Sequence, residues 1–353
     1  MPTPPVSATT LFERIAYRLG FEKLQDRFMW LPHPLICWGI GMVFFDVVVL
    51  QAFKEFAGYP ATFFVNPVWI LSPAMALVAP FAIVYLHRRY DSMLQEIDVE
   101  SRTDSPEVFH TLVTQKLRIV LYVIAVGYSF YVFVADVSLE AITQIGGLAE
   151  LIGLVVVLPL GYGIIYSEFL ATYIGIIICL PWKVRSTDFQ LNFLDPEGLG
   201  GLRPVGELMK TAYYSLVLGL VNSAVQMYLP ALISPITGSP YPDPGLYTDI
   251  IFTGVWLLAI ATMVYGLAQV HWFMKREKRK ELTELDQAKR KLVKHPFDMS
   301  RLEIEETDEY YHIQNRIDHV TATQEYPTTF TMWFQILTGL LLPKAIQYVL
   351  SIL

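Results

Sequence analysis

The residues of this chain that could do chemistry are ionisable side chains inside long apolar runs. Asp46 lies in the middle of one such run, VFFDVVV, where a charged side chain in a bilayer costs ~2.5–3.5 kcal/mol. It must therefore face protein or water. Two interpretations stay open: a cation or proton site, or a carboxyl group that a Tyr or Ser of a neighbouring helix neutralises. For Glu168, deep in a later run, we expect an ion pair or a position at the membrane boundary.

A second pattern is a polar row in the last apolar segment, 328–353. An uncharged hydroxyl and amide stripe that leads into aliphatic side chains suits a water-filled pore with a hydrophobic constriction, if several copies of the helix surround an axis. The alternative is ordinary packing, because Thr and Gln also hydrogen-bond between membrane helices. On a helix that turns about 100° per residue, the residues of this sector are Thr328, Thr331, Gln335, Thr338, Leu342, Ile346 and Val349.

Other chemistry is not indicated. The sequence contains no phosphate-binding glycine loop, no His or Cys pair at metal-ligand spacing and no Ser nucleophile elbow. Both cysteines, Cys37 and Cys179, lie in apolar runs, which argues against a disulfide or metal framework. We therefore expect no enzyme, no cofactor, no metal and no nucleic-acid partner.

The composition is that of an all-α polytopic membrane protein. Hydrophobic residues make up 54% of the chain and the mean hydropathy is +0.41, with apolar runs separated by charged segments. The run 147–182 exceeds the ~20 residues that one span needs, so it is either two tightly turned spans or one long helix. With one crossing there, seven spans are expected at about 34–56, 67–90, 117–137, 147–182, 210–232, 249–273 and 329–353.

Basic residues favour the single long helix. With seven spans, 24 of the 26 Lys and Arg residues fall on one side of the membrane, in the segments 1–27, 88–118, 183–210 and 275–316. Two spans at 147–182 would export several of them. The excess of positive charge predicts a cytoplasmic amino terminus and a carboxyl terminus outside.

The chain divides into four parts. Residues 1–30 form an amphipathic segment, in which Gly20 is expected to separate two short helices at the membrane surface or packed on the bundle. Residues 31–274 hold the first six spans with their loops. Residues 275–327 are a charged helical anchor, and residues 328–353 are the terminal helix. The Gly- and Pro-rich stretch 188–204 is expected to be a structured turn region.

The charged region predicts two helices. The sixth span continues into it, because no helix breaker occurs before Pro296. Asp298 or Ser300 can cap a second helix that runs to about Gln324, and Pro327 ends it. The apolar edges of the two helices are expected at Leu282, Leu285, Leu292, Ile313, Ile317 and Val320.

Aromatic residues cluster in the outer halves of several spans, which suggests a pocket for a small hydrophobic ligand. An interfacial aromatic belt is the alternative. The candidate ligand-binding residues are Trp69, Tyr128, Tyr131, Phe252 and Trp256.

Seven spans, long cytoplasmic helices and a terminal helix that ends outside make the chain resemble the insect odorant and gustatory receptors of the seven-transmembrane ion channel superfamily. The gustatory branch carries Thr, Tyr, five hydrophobic residues, Gln and Phe in its last span. Here the register reads Thr328, Thr329, FTMWF, Gln335 and Ile336, so that Thr replaces the Tyr and Ile the Phe. The resemblance implies a homotetramer in the cell membrane, anchored by its cytoplasmic helices, with a non-selective cation pore lined by the last helix and a ligand cavity in the outer half.

Three hypotheses follow for the function. The first is a ligand-gated or otherwise gated cation channel whose pore is lined by the terminal helix. The second is a secondary transporter that uses Asp46 as its coupling site. The third is a signalling or scaffold protein that binds a cytoplasmic partner through residues 275–326.

Overall fold

The structure is a computed structural model that describes residues 10–18, 20–28, 31–131, 139–237, 245–294, 296–297, 303–304, 306–327 and 330–352. It is almost wholly helical in these residues. The helices are α1 (Leu11–Arg18), α2 (Phe21–Arg27), α3 (Pro34–Phe56), α4 (Thr62–Val65), α5 (Pro67–Glu96), α6 (Val99–Arg102), α7 (Gln115–Phe130), α8 (139–145), α9 (Gly146–Ser186), α10 (Arg203–Thr237), α11 (Leu246–Lys291), α12 (Thr307–Ala322) and α13 (Phe330–Ile352).

Five helices, α3, α5, α9, α10 and α11, are long and apolar enough to cross a bilayer, which supports the expected helical membrane protein. The predicted third and seventh spans correspond to α7 and α13. The described part of α7 has 16 residues, and the apolar part of α13 is Phe334–Leu350.

Helix α9 is one helical run of 41 residues, so the long-helix interpretation of 147–182 is confirmed. It is separated from α8 by a kink at Gly146 and Gly147, where Gly147 has a φ of +63° that favours glycine. Two stretches of α9, Gly153–Tyr162 and Gly175–Cys179, are π-helical. Near the far end of the helix, Ile176, Ile177, Leu180 and Val184 are fully buried, whereas Trp182 is 57% exposed.

The main core lies at one end of the bundle, where α5, α9, α10 and α11 meet the segments 97–114 and 187–202. We call this the basic end, because Arg102, Lys183 and Arg185 make hydrogen bonds there. An aromatic row marks its centre: the rings of Phe109 and Phe189 lie 6.0 Å apart and those of Phe189 and Phe273 6.2 Å apart. The hydroxyl of Tyr90 donates to the carbonyl of Phe109 at 2.6 Å.

The turn region 188–204 is structured, as predicted, and it is held by one arginine. The Arg102 guanidinium donates to the carbonyls of Gln190 and Gly200, both at 2.8 Å, and lies 4.6 Å from the centre of the Phe189 ring. Burial lowers the pKa of Arg102 to about 10, against the opposing charge of Asp195. The Asp195 carboxylate in turn accepts backbone N–H groups of its own loop.

The charged region forms the predicted continuation of the sixth span, since α11 runs unbroken for 46 residues. Helix α12 packs along it through Leu285, Ile313 and Val320, so the predicted apolar edges do meet.

The predicted start of the second charged helix is wrong, whereas its end lies within two residues of the predicted Gln324. A short antiparallel pair, β1 (Val293–Lys294) with β2 (Glu303–Ile304), precedes it, so α12 begins at Thr307, and the expected caps Asp298 and Ser300 lie outside the described residues. The helix ends at Ala322, because the next backbone groups bind elsewhere: Gln324 N–H donates to Gly198 O at 2.7 Å.

The amino-terminal segment forms the two short helices that its pattern predicts. Helix α1 opens with a reciprocal cap, in which Thr10 N–H donates to Glu13 Oε2 at 2.6 Å and Glu13 N–H donates to Thr10 Oγ1 at 3.0 Å. Glu13 Oε1 also pairs with His33 Nε2, and His33 caps α3. This pair fixes the amino-terminal helix to the base of the first long helix.

Candidate functional site

Helix α13 packs against α10 and α11 by one narrow face. Ile336, Gly339, Pro343 and Gln347 recur at helical spacing and are buried there. A Cβ atom at Gly339 would lie 3.1 Å from the Tyr214 ring, so glycine permits the close approach of α13 to α10. Most of the other described side chains of α13 are exposed, whereas Lys344, Ile346 and Leu350 are half-buried.

The predicted polar and aliphatic stripe lies on the uncovered surface. Gln335 and Thr338 are exposed, Leu342 and Val349 are 48% and 53% exposed, and Ile346 is half-buried. Thr328 lies outside the described residues, as does the side chain of Thr331. A second exposed face is apolar and consists of Phe334, Leu337, Leu341 and Tyr348. The helix thus has a packed face, a stripe with polar residues, and an apolar face.

Behind the packed face lies a hydrogen-bonded network that ties α13 to α10 and α11. Gln347 Nε2 donates to Tyr228 OH at 2.7 Å and to Asp249 Oδ1 at 3.0 Å, and Tyr228 OH also donates to Asp249. Lys344 Nζ donates to Thr253 Oγ1 at 2.6 Å and to Gln347 Oε1 at 2.5 Å. Sequence reasoning missed this network, although a Lys and a Gln three residues apart in an apolar helix are a usable signal of shared partners.

Asp46 is bound by a tyrosine. The hydroxyl of Tyr162 donates to Asp46 Oδ2 at 2.7 Å, which is the kind of partner that the second interpretation of Asp46 expects. Both residues belong to π-helical stretches, Phe45–Leu50 in α3 and Gly153–Tyr162 in α9. Such stretches are frequent at functional sites.

The lysine of α3 is buried and paired. Lys54 Nζ lies 2.6 Å from Glu150 Oε2 and donates to Thr62 Oγ1 at 2.8 Å, with 4% of its side chain exposed. A Cβ atom at Gly146 would lie 2.8 Å from the Lys54 side chain, so the kink glycine leaves room for this lysine. Lys54 and Lys344 are the two basic residues outside the four basic segments, and each one has protein partners.

Glu168 forms the ion pair that its position suggests, with Arg118 of α7. Only 5% of the Glu168 side chain and 2% of the Arg118 side chain are exposed. His87 of α5 lies beside them, with Nε2 3.1 Å from Thr172 Oγ1. The sequence did not indicate which cation would pair with Glu168, because the partner is on another helix.

The predicted aromatic ligand-binding residues differ in their exposure. Phe252 is buried, Tyr128 and Tyr131 are largely exposed, and Trp69 and Trp256 are half-buried. None of the five lines the main cavity of the described residues.

That cavity, of about 360 Å³, lies between α5, α9 and α10. Its size falls at the lower end of the range for small-molecule sites. Its polar lining residues are Ser72, Tyr166, Ser215, Asn222, Ser223 and Gln226.

Comparison with known proteins gives no relative. No protein-family model, no curated protein and no solved structure matches the chain. A function must therefore be argued from the residues and their geometry.

Proposed function

We propose that the chain is one subunit of a homotetrameric, gated, non-selective cation channel of the cell membrane. The seven spans of this proposal are α3, α5, α7, α9, α10, α11 and α13, with the amino terminus cytoplasmic and the carboxyl terminus outside. Helix α13 lines the pore.

The single observation that carries this proposal is the uncovered stripe on α13. A lipid-facing helix suits apolar side chains, but Gln335 and Thr338 would lose hydrogen bonds to water there. Gln335 has only a 3.3 Å contact from Lys210 Nζ, and the Thr338 hydroxyl donates to its own helix at Phe334 O. A water-filled axis shared by several copies supplies the missing partners.

The order of residues along the stripe supports the same arrangement. The polar residues come first and the aliphatic residues Leu342, Ile346 and Val349 follow toward the carboxyl end. A ring of these side chains would form a constriction that closes by excluding water. The adjacent apolar face is then available for lipid or for the next subunit.

The test is conductance of the purified protein in planar bilayers. Val349→Ser places a hydroxyl group in the proposed constriction and favours its hydration, so we expect at least a tenfold rise in leak current. The matched control is Leu341→Ser, an equally exposed site on the apolar face, which should leave the current near the wild-type level. An unchanged current for Val349→Ser in a fully formed tetramer would overturn the pore assignment.

A proton- or cation-coupled transporter is a second candidate, favoured by the Asp46–Tyr162 contact between two π-helical stretches. It predicts a monomer or two-fold dimer in detergent and gradient-driven uptake, without single-channel steps, that Asp46→Asn abolishes. A four-fold ring with α13 at its axis would contradict the transporter and favour the channel.

A further inference from the structure

Two amides in the middle of α10 are without a protein partner. Asn222 and Gln226 lie one helical turn apart, are half-buried, and make no hydrogen bond with any residue that the structure describes. Transfer of a carboxamide from water into hydrocarbon is strongly unfavourable unless another group replaces its hydrogen bonds to water. Membrane-embedded polar groups of this kind face protein or a cavity.

Both amides line the cavity between α5, α9 and α10. Three of the four lining hydroxyl groups already donate their protons: Ser223 to Gly219 O at 2.9 Å, Ser215 to Thr211 O at 3.0 Å, and Tyr166 to Ser72 O at 3.2 Å. The fourth hydroxyl group is that of Ser72. The cavity therefore offers hydroxyl oxygens as acceptors and two free amides as donors and acceptors.

The rest of the lining is apolar and uncharged. It includes Met75, Ala79, Phe169 and Leu220, and no carboxylate, amine, guanidinium or imidazole group is among the lining residues. An ion would find no counter-charge there, and leaving water would cost it far more than a neutral molecule. A phospholipid headgroup is disfavoured for the same reason.

The opening of the cavity is flanked by exposed apolar side chains. Val78 on α5 and Leu218 on α10 line it and are 44% and 50% exposed on the outer surface of these helices. A molecule that partitions into membranes can reach this opening without crossing the packed bundle.

From these observations we propose that the cavity is a binding site for a small neutral amphiphile, such as an aliphatic alcohol. Its hydroxyl group would bind the amides of Asn222 and Gln226, and its apolar body would lie against α5 and α9. The site is distinct from the five aromatic residues suggested by the sequence.

The site also adjoins α10, the helix against which α13 packs. Tyr213 and Tyr214 of α10 contact Gly339, while the next residues, Ser215 and Leu216, line the cavity. Occupation of the cavity is therefore expected to change the gating of the proposed channel. This consequence rests on the proposed function, whereas binding itself does not.

Binding is tested by photolabelling of the full-length protein in vesicles with a diazirine derivative of octanol, followed by mass spectrometry of the labelled peptides. Gly219 lines the cavity, and a Cβ atom there would meet no atom within 4 Å, so Gly219→Leu fills the space without displacing neighbours. We expect saturable labelling of α5 and α10 that falls at least tenfold in this variant. The matched control is Gly254→Leu on α11, a position equally open but outside the cavity, which should label like the wild type.

A second variant covers the case in which Gly219→Leu does not fold. Asn222→Leu keeps the approximate shape and removes one amide, so the octanol concentration for half-maximal competition should rise about tenfold. Labelling of the cavity that neither variant changes would overturn the site, as would a co-purified lipid acyl chain that octanol cannot displace. If the cavity is labelled but no current is measured at any octanol concentration, the result supports the binding site and contradicts only the proposed channel function.

Discussion

The two ends of the helical bundle are built differently. At the basic end, large side chains form the main core and helix backbones approach closely: a Cβ atom at Gly266 would overlap the backbone oxygen of Ile177. Toward the opposite end the core shrinks to a small cluster around Tyr162 and Ile165, and polar contacts such as Lys54 with Glu150 join the helices. Gly219 and Gly254 have open space beside them, although a Cβ atom at Gly146 would lie 2.8 Å from the Lys54 side chain.

This difference separates scaffold from candidate site. Close-packed interiors transmit strain and resist rearrangement, whereas few apolar contacts and local cavities allow small movements. The Asp46 contact and the network around Gln347 lie away from the main core, whereas the cavity adjoins it through Phe169 and Leu216. We therefore expect substitutions at the basic end to change stability and those at the opposite end to change activity first.

The largest loss of stability is expected when the buried ion pair between Arg118 and Glu168 is broken. Glu168→Ala leaves the Arg118 charge buried without its carboxylate, which costs about 3–5 kcal/mol, as for other buried pairs broken on one side. Thermal unfolding in detergent should show a large fall in midpoint and a reduced folded yield.

Two comparisons sharpen that result. Removing both charges with Arg118→Leu and Glu168→Leu should recover much of the stability. Glu150→Ala, which breaks the more exposed pair with Lys54, should cost less than Glu168→Ala. Equal losses for the two single variants would contradict the proposed difference between the ends.

An intermediate effect on the free energy of unfolding is expected when glycines of α11 are replaced by alanine. Gly266→Ala inserts a methyl group against the Ile177 carbonyl, which cannot move without displacing α9, so we expect a loss of about 1–3 kcal/mol. Gly254→Ala on the same helix meets open space and should stabilise the helix slightly, by up to about 1 kcal/mol. Similar unfolding midpoints for the two variants would mean that α9 and α11 are not in close contact.

The smallest effect is a pH dependence of the amino-terminal helix. Burial of the Glu13 carboxyl opposes its ionisation, but the hydrogen bond and charge of His33 and the Thr10 N–H hold the pKa of Glu13 below its usual 4.5. The resulting stability is present above pH 4.5 and is lost as the pH falls through the lowered pKa.

Hydrogen exchange of α1, corrected for intrinsic rates, should therefore accelerate on acidification below that value. Glu13→Gln should weaken α1 by about 1 kcal/mol at neutral pH, as expected for a lost helix cap, and flatten the pH dependence. Exchange of α12, which has no contact with Glu13 among the described residues, provides the internal control.

The sequence was sufficient for features that depend on neighbouring residues. The length of α11 follows from the absence of a breaker before Pro296, and the shared sector of Gln335, Thr338 and Leu342 follows from helical periodicity alone. The same reasoning placed α1 and α2 and favoured one long helix at α9.

Features that depend on which helices meet could not be predicted. Arg118 pairs with Glu168 and Tyr162 with Asp46 only because of how α3, α7 and α9 are rotated against each other. The cavity arises where small side chains of α5 and α10 come together with Tyr166 and Phe169 of α9, a combination that no single apolar run reveals. The β1–β2 pair was missed because two-residue strands have too few side chains to show alternation.

The unbroken course of α11 has a mechanical consequence. At ~1.5 Å per residue its 46 residues form a rod of roughly 69 Å, from Asp249 in the network behind α13 to the surface that holds α12. A stiff rod pivoting at the tight crossing near Gly266 would swing its two arms in opposite directions. A displacement of Asp249 would thus move the surface that holds α12, and a force applied to α12 would displace Asp249.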